Sequence, residues 1–328
     1  MKILLSFLFV STFIFSCSRS NQEVFREMKE LEYQRNSVSA RFSLWLRSDN
    51  PTIREKAVES LGKIQDTSTI SWVADKLKDP DVKVRGEAAF AMGQFFSPNA
   101  EPPLLNALDS EKNPGVKSRL IEALGKTGTE KSFPVLENLL NSQVPDDEKN
   151  AALSWGLISY RGYSYNQGLK NLNKLLKSTS DPEVQWRAAY ALYRSGSPAE
   201  MNTLYEILKN NSPFARYIAL KSITDIAGIL KSSESEGFNY LESARNADRI
   251  LQSPDFLQTL QDLMGSTAWY VKFADLQLVG ALSNPSLWPL VKDAAADENP
   301  YIRGAALEAI ADYKNQDAEN FLMQYIQN

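Results

Sequence analysis

Asn50-Pro51-Thr52-Ile53-Arg54-Glu55-Lys56-Ala57-Val58-Glu59-Ser60-Leu61-Gly62 and Asp181-Pro182-Glu183-Val184-Gln185-Trp186-Arg187-Ala188-Ala189-Tyr190-Ala191-Leu192 are two copies of one helical phrase. With the proline as position 0, position 2 is mostly Val or Ile and position 3 is usually basic. Positions 6, 7 and 9 are mostly small or aliphatic, position 10 is mostly aliphatic, and position 11 is often Gly. Further copies begin near Val82, Pro114, Pro145, Pro213, Trp269 and Pro300. Position 11 then falls at Gly62, Gly93, Gly125, Gly156, Tyr193, Thr224, Gly280 and Ala311, at steps of 31, 32, 31, 37, 31, 56 and 31 residues. A period near 31 leaves room for a second helix in each unit, as in Ser68 to Lys78 and Pro134 to Leu140. Units of this kind bury their apolar faces only by stacking, so the fold class expected is an all-α solenoid.

Within the phrase, positions 2, 6, 9, 10 and 13 share one helical face, which is the face to be buried. A proline at the first helical residue costs no hydrogen bond, and the Asn or Asp before several of them forms turns readily. Glu23 to Arg35 and Ser39 to Arg47 read as helices without the phrase, suited to a terminal cap over residues 22–47. Residues 48–328 form the repeat array, closed by Ala318 to Ile326. Two steps break the period. The step of 37 contains Tyr160-Arg161-Gly162-Tyr163-Ser164-Tyr165. The step of 56 holds an insertion at about 228–252, expected to open with a flexible stretch from Lys231 to Gly237 and to continue as a helix from about Tyr240 to Leu251.

The phrase resembles that of the HEAT repeat family, in the short form seen in phycobilisome-lyase HEAT-like repeats, over roughly residues 40 to 328. The resemblance implies antiparallel helix pairs stacked into a right-handed α–α superhelix of about eight pairs, with the phrase helix lining the concave side. It also implies that the position-3 cations Arg54, Arg85, Lys117, Arg216, Lys272 and Arg303 pair with acids in neighbouring turns. The fourth copy departs with Glu148 in that slot and the fifth with Gln185. The seventh has Asp275 where a small residue is expected.

Met1 to Ser16 reads as an export signal: Lys2 starts it, and Ile3 to Phe15 is an apolar run too short for a membrane span of about 20 residues. The sole cysteine follows in Ile14-Phe15-Ser16-Cys17, which resembles a bacterial lipobox with Phe15 in a usually small slot. Residues 1–16 are thus expected to be a lipoprotein signal peptide, Cys17 the lipidated (palmitoylated) residue, and residues 17–21 its tether. A cleaved secretory peptide or an uncleaved anchor is the competing reading. The expected address is a membrane of the bacterial cell envelope, the outer in preference to the inner.

The net charge is −4 and there is no histidine. The first argues against a nucleic-acid partner, and the second removes the usual general base and zinc ligand. No nucleotide loop, nucleophile elbow or metal-ligand spacing appears, so no cofactor, metal or catalytic residue is expected. Positions 4 and 8 lie opposite the core, and they turn aromatic over three consecutive units. Trp186, Tyr190, Tyr193 and Arg194 from the fifth unit, Tyr217 and Lys221 from the sixth, and Phe273 from the seventh are the candidate partner-binding residues. Aromatics with cations dominate binding hot spots; packing of these rings on one another, or under the insertion, is the alternative. The expectation is a non-catalytic, lipid-anchored scaffold that binds a protein or peptide. The rival is a lyase or chaperone-like activity analogous to bilin-lyase HEAT-like proteins, against which export argues.

Overall fold

The computed structural model describes residues 20–163, 165, 169–195, 201–209, 212–236 and 242–327. The signal-like run and Cys17 lie outside them. Among the described residues there is no strand, and no helix is long and apolar enough to cross a membrane.

Every copy of the phrase is a helix beginning at its position 0: α3 (Pro51–Ile64), α5 (Val82–Gln94), α7 (Pro114–Thr127), α9 (Pro145–Tyr160), α11 (Pro182–Ser195), α13 (Pro213–Glu236), α16 (Trp269–Leu282) and α18 (Pro300–Asp312). The residue before the proline explains the abrupt start. The side-chain oxygens of Asn50, Asp81, Asn113 and Asn299 each accept from a backbone N–H of the first turn. Such caps are worth about 0.5–2 kcal/mol apiece. Val144 and Ala268 supply none, so α9 and α16 start without one.

Each phrase helix packs against the helix that precedes it: α2 (Ala40–Trp45), α4 (Ile70–Ala74), α6 (Glu101–Ser110), α8 (Phe133–Leu140), α10 (Leu169–Ser178), α12 (Met201–Leu208), α15 (Pro254–Leu263) and α17 (Trp288–Ala294). Successive phrase helices also pack on one another, giving one continuous inner layer with the core between it and the partner helices. At one end α1 (Asn21–Tyr33) packs on α3, and at the other α19 (Gln316–Gln327) packs on α18. Of the residues expected to seal that last layer, Phe321 lies 6.4 Å from Trp288, whereas Ile326 is exposed.

The glycine at position 11 is a stacking residue. A Cβ added to Gly62 would lie 2.7 Å from the Ala91 Cβ, and at Gly125 and Gly280 it would meet Ser154 and Ala309 as closely. These contacts are position 11 of one phrase helix against position 9 of the next. The small pair lets adjacent backbones approach, which is why both slots are conspicuous in the repeat.

The cation ladder runs through the turns. Arg54 holds Asp79 through two hydrogen bonds (2.8 and 2.7 Å) and donates to the Ser48 carbonyl. Arg85 holds Glu111 and donates to the Asp79 carbonyl. Lys117 pairs with Asp147 and Lys272 with Asp297. Two rungs depart from the expectation: Arg303 donates to the backbone carbonyls of Asp297 and Glu298, and the Arg216 Nε is buried with no hydrogen-bond partner among the described residues. Gln185 keeps the carbonyl half of the role, donating to Thr179 at 3.0 Å.

The insertion differs from expectation. Lys231 to Glu236 extend α13 rather than opening a flexible stretch, and α14 (Glu242–Leu251) packs against α12, α13 and α15. It therefore belongs with the partner-helix layer, not over the aromatic face of α11 and α16. Gly237 to Leu241 lie outside the described residues.

Candidate functional site

The seven predicted binding residues all sit in the phrase-helix layer, and all are half-buried rather than open. On α11, Trp186, Tyr190, Tyr193 and Arg194 occupy positions 4, 8, 11 and 12, one face extending about 12 Å at 1.5 Å per residue. Tyr190 and Tyr193 meet edge to face at 6.5 Å. Trp186 reaches α13 through Phe214 at 5.3 Å, Phe214 touches Tyr217 at 5.9 Å, and Tyr217 touches Tyr270 of α16 at 5.7 Å. Trp269 continues the chain to Phe273 at 6.3 Å and to Tyr301 of α18 at 5.3 Å. Lys221 lies over the Tyr217 ring. The rings do pack on one another, as the alternative held, yet they form a continuous ridge over four phrase helices.

The exposed members of that ridge are Phe214, Trp269 and Tyr301. They stand at positions 0 and 1, which the attention to positions 4 and 8 passed over. A signal was present: position 1 is Thr52, Lys83, Gly115, Asp146 and Glu183 in the first five units, then Phe214, Tyr270 and Tyr301 in the last three. The N-terminal turn of a phrase helix is less covered by its neighbours than the middle, so an aromatic there stays accessible.

Beside this ridge, α9, α11 and α13 enclose a cleft of about 200 Å³ whose lining includes Tyr160, Tyr193, Arg194, Asp225 and Ile226. One of its lining residues stands in the stacking slot. Position 11 of α11 is Tyr193 instead of glycine, and α11 packs less extensively on α13 than on α9. The Arg194 guanidinium lies 4.4 Å from the Tyr160 ring centre, 4.8 Å from Tyr193 and 5.2 Å from Tyr190. Cations against aromatic faces gain most when desolvated. Burial, and then a hydrogen bond to Asp225, push the Tyr193 phenol up to about 12. At neutral pH Tyr193 is therefore a proton donor and not a base. The tyrosine-rich turn is partly structural: Tyr165 stacks on Phe133 at 5.6 Å, and Arg161 donates to the carbonyls of Gly125, Leu157 and Gly128.

A broader groove of about 690 Å³ lies over α3 and α5, with Glu55, Glu59, Glu87 and Phe90 in its walls. Burial and the charge of Glu59 raise the Glu87 carboxyl above its ordinary range, whereas Lys56 and Lys63 hold Glu59 low despite its own burial. No group of three or more His, Cys, Asp or Glu among the described residues is arranged to hold a metal.

Comparison with known proteins bears on both fold and activity. Residues 70–158 match the HEAT repeats family. The bilin biosynthesis protein PecE of Mastigocladus laminosus is 26% identical over 227 residues, 66% of this chain and 80% of that protein. The deoxyhypusine hydroxylase of Rattus norvegicus is 21% identical over 290 residues, 82% of this chain and 88% of that protein. Among solved structures, an engineered protein aligns with TM-score 0.51 at 16% identity, over 90% of this chain and 86% of its own, a likeness of fold alone. The relatives named for a biosynthesis and a hydroxylase overturn two expectations: that the chain is a non-catalytic scaffold, and that it is not an enzyme. The chain is an all-α solenoid of stacked helix pairs whose residues 70–158 match the HEAT repeats family.

Proposed function

We propose that the protein is a lyase or chaperone-like protein for a bilin-type prosthetic group, a conjugated linear tetrapyrrole that it binds and presents to a protein partner. The observation that carries this reading is the similarity to the bilin biosynthesis protein, which runs through 80% of that protein's length. The aromatic ridge supports it. An extended conjugated guest packs along aromatic side chains, and Trp186, Tyr190 and Tyr193 share one side of α11, with Tyr217 and Phe273 on the neighbouring helices.

The proposal extends to the site of action. Cys17, following the apolar run from Ile3 to Phe15, is the acylated residue, and the chain works at the bacterial cell envelope, on the outer membrane in preference to the inner. An exported protein meets its guest outside the cytoplasm, which would set it apart from a cytoplasmic lyase. Mass spectrometry of the native N-terminus tests the anchor: a diacylated or triacylated Cys17 is expected, and an unmodified start elsewhere contradicts it.

The binding reading is tested by titrating the purified full chain in detergent with biliverdin, a linear tetrapyrrole dicarboxylate. A saturable shift of the visible absorbance band is expected. Absorbance that follows the free pigment at every ratio would overturn the reading.

A further inference from the structure

Resting on that reading, we infer that the cleft between α11 and α13 is a carboxylate subsite, in which Arg194 takes one acidic arm of the conjugated guest. Four observations carry it. First, size: at about 200 Å³ the cleft falls below the roughly 300–1,000 Å³ of pockets that enclose a drug-sized ligand. It admits one arm of a tetrapyrrole and not its ring system.

Second, charge. Arg54 and Arg85 spend their guanidiniums on Asp79 and Glu111. Arg194 alone among these cations faces three tyrosine rings, and its Nε, like those of Arg187 and Arg216, is buried with no hydrogen-bond partner among the described residues. A planar fork held by aromatic rings and short of an acceptor is suited to a carboxylate, which it can meet with two parallel hydrogen bonds.

Third, the acid in the cleft wall is already engaged. Asp225 accepts from the Tyr193 phenol, and that phenol stays protonated across the physiological range. Fourth, placement. Arg194 ends the line that runs from Trp186 through Tyr190 along α11. A guest stacked on those rings would deliver its acidic arm to the cleft mouth. Tyr193, which lines the cleft, occupies the slot that Gly62, Gly93, Gly125, Gly156 and Gly280 fill in other units.

The test compares biliverdin with its dimethyl ester, which keeps the conjugated system and removes both carboxylates. For the wild-type chain, the ester is expected to bind at least tenfold more weakly than the acid. Arg194→Gln should weaken the acid at least tenfold and leave the ester unchanged. Equal affinity of the wild-type chain for acid and ester overturns the subsite while leaving the tetrapyrrole reading intact. Failure of the wild-type chain to bind either compound overturns the reading and the subsite with it. The wild-type comparison needs no variant, so the outcome stands even if Arg194→Gln folds poorly.

Discussion

Asp275 is the residue most at odds with its surroundings. It is fully buried on α16, and neither carboxyl oxygen has a hydrogen-bond partner among the described residues. Its slot is position 6, held by Ala57, Ala88, Ala151, Ala188, Ala219 and Ala306 in other units. Burial pushes its carboxyl well above the ordinary value of 3.8. The folded chain therefore keeps a proton that the unfolded chain releases, and stability present below pH ~4 is lost as pH rises toward the folded value. Asp275→Ala should stabilise the protein at pH 7 by on the order of 1–3 kcal/mol, the cost of an unpaired buried polar group. Thermal melts at pH 4 and pH 7 check it: the gain should be larger at pH 7, and an equal gain at both would contradict the account. Glycines give a second contrast. Gly62→Ala drives a Cβ into Ala91 and should cost about 1–3 kcal/mol. Gly304 has nothing within 4 Å of its added Cβ, so Gly304→Ala should instead gain roughly 0.5–1 kcal/mol from helix propensity. A melting temperature for Gly62→Ala at or above that of wild type would mean that position 11 is not a stacking slot.

At the scale of elements, the turns are tied by the position-3 ladder. Asp79 is the clearest rung, its side chain 3% exposed and held by Arg54. Burial pushes its carboxyl up, but the Arg54 hydrogen bonds and charge and the Asp81 backbone N–H outweigh this and hold it below the ordinary range. A lowered folded value means stability that is present above pH ~4 and lost as acid protonates the folded state. Asp79→Asn should cost about 1.5–3 kcal/mol at pH 7, the worth of charge-assisted hydrogen bonds. The gap to wild type should narrow as pH falls through 4 toward 2; a gap independent of pH would show that the charge of Asp79 contributes nothing. This ladder and the helix starts could be read from the sequence because each is written at a fixed offset from a proline or its substitute. The long α13 could not: Lys231 to Glu236 are polar and fall outside the repeat, and polarity alone does not distinguish a solvent-facing helical end from a loop. The cleft could not be read either. Tyr193, which lines it, stands in a glycine slot and registers in one dimension only as a lapse in the pattern.

Over the whole molecule, the repeat builds a continuous inner layer of phrase helices, and its last four members carry the aromatic ridge. Trp186, Tyr190, Tyr217 and Phe273 were recognisable from their shared angular position. Phe214, Tyr270 and Tyr301 stood together in the position-1 column and were passed over, because a single-helix projection omits that stacking leaves the N-terminal turn uncovered. The proposed activity was the least readable feature, since no residue pattern in the chain points to it and similarity to named relatives alone suggests it. Trp186→Ala with Tyr217→Ala therefore asks the most direct question: whether the ridge is the surface on which a conjugated guest is held. Rings that act as hot spots cost at least about 2 kcal/mol each on truncation, roughly thirtyfold in affinity. The account predicts that the double variant, with helicity retained, binds biliverdin at least thirtyfold more weakly than wild type; wild-type affinity in the double variant would contradict it.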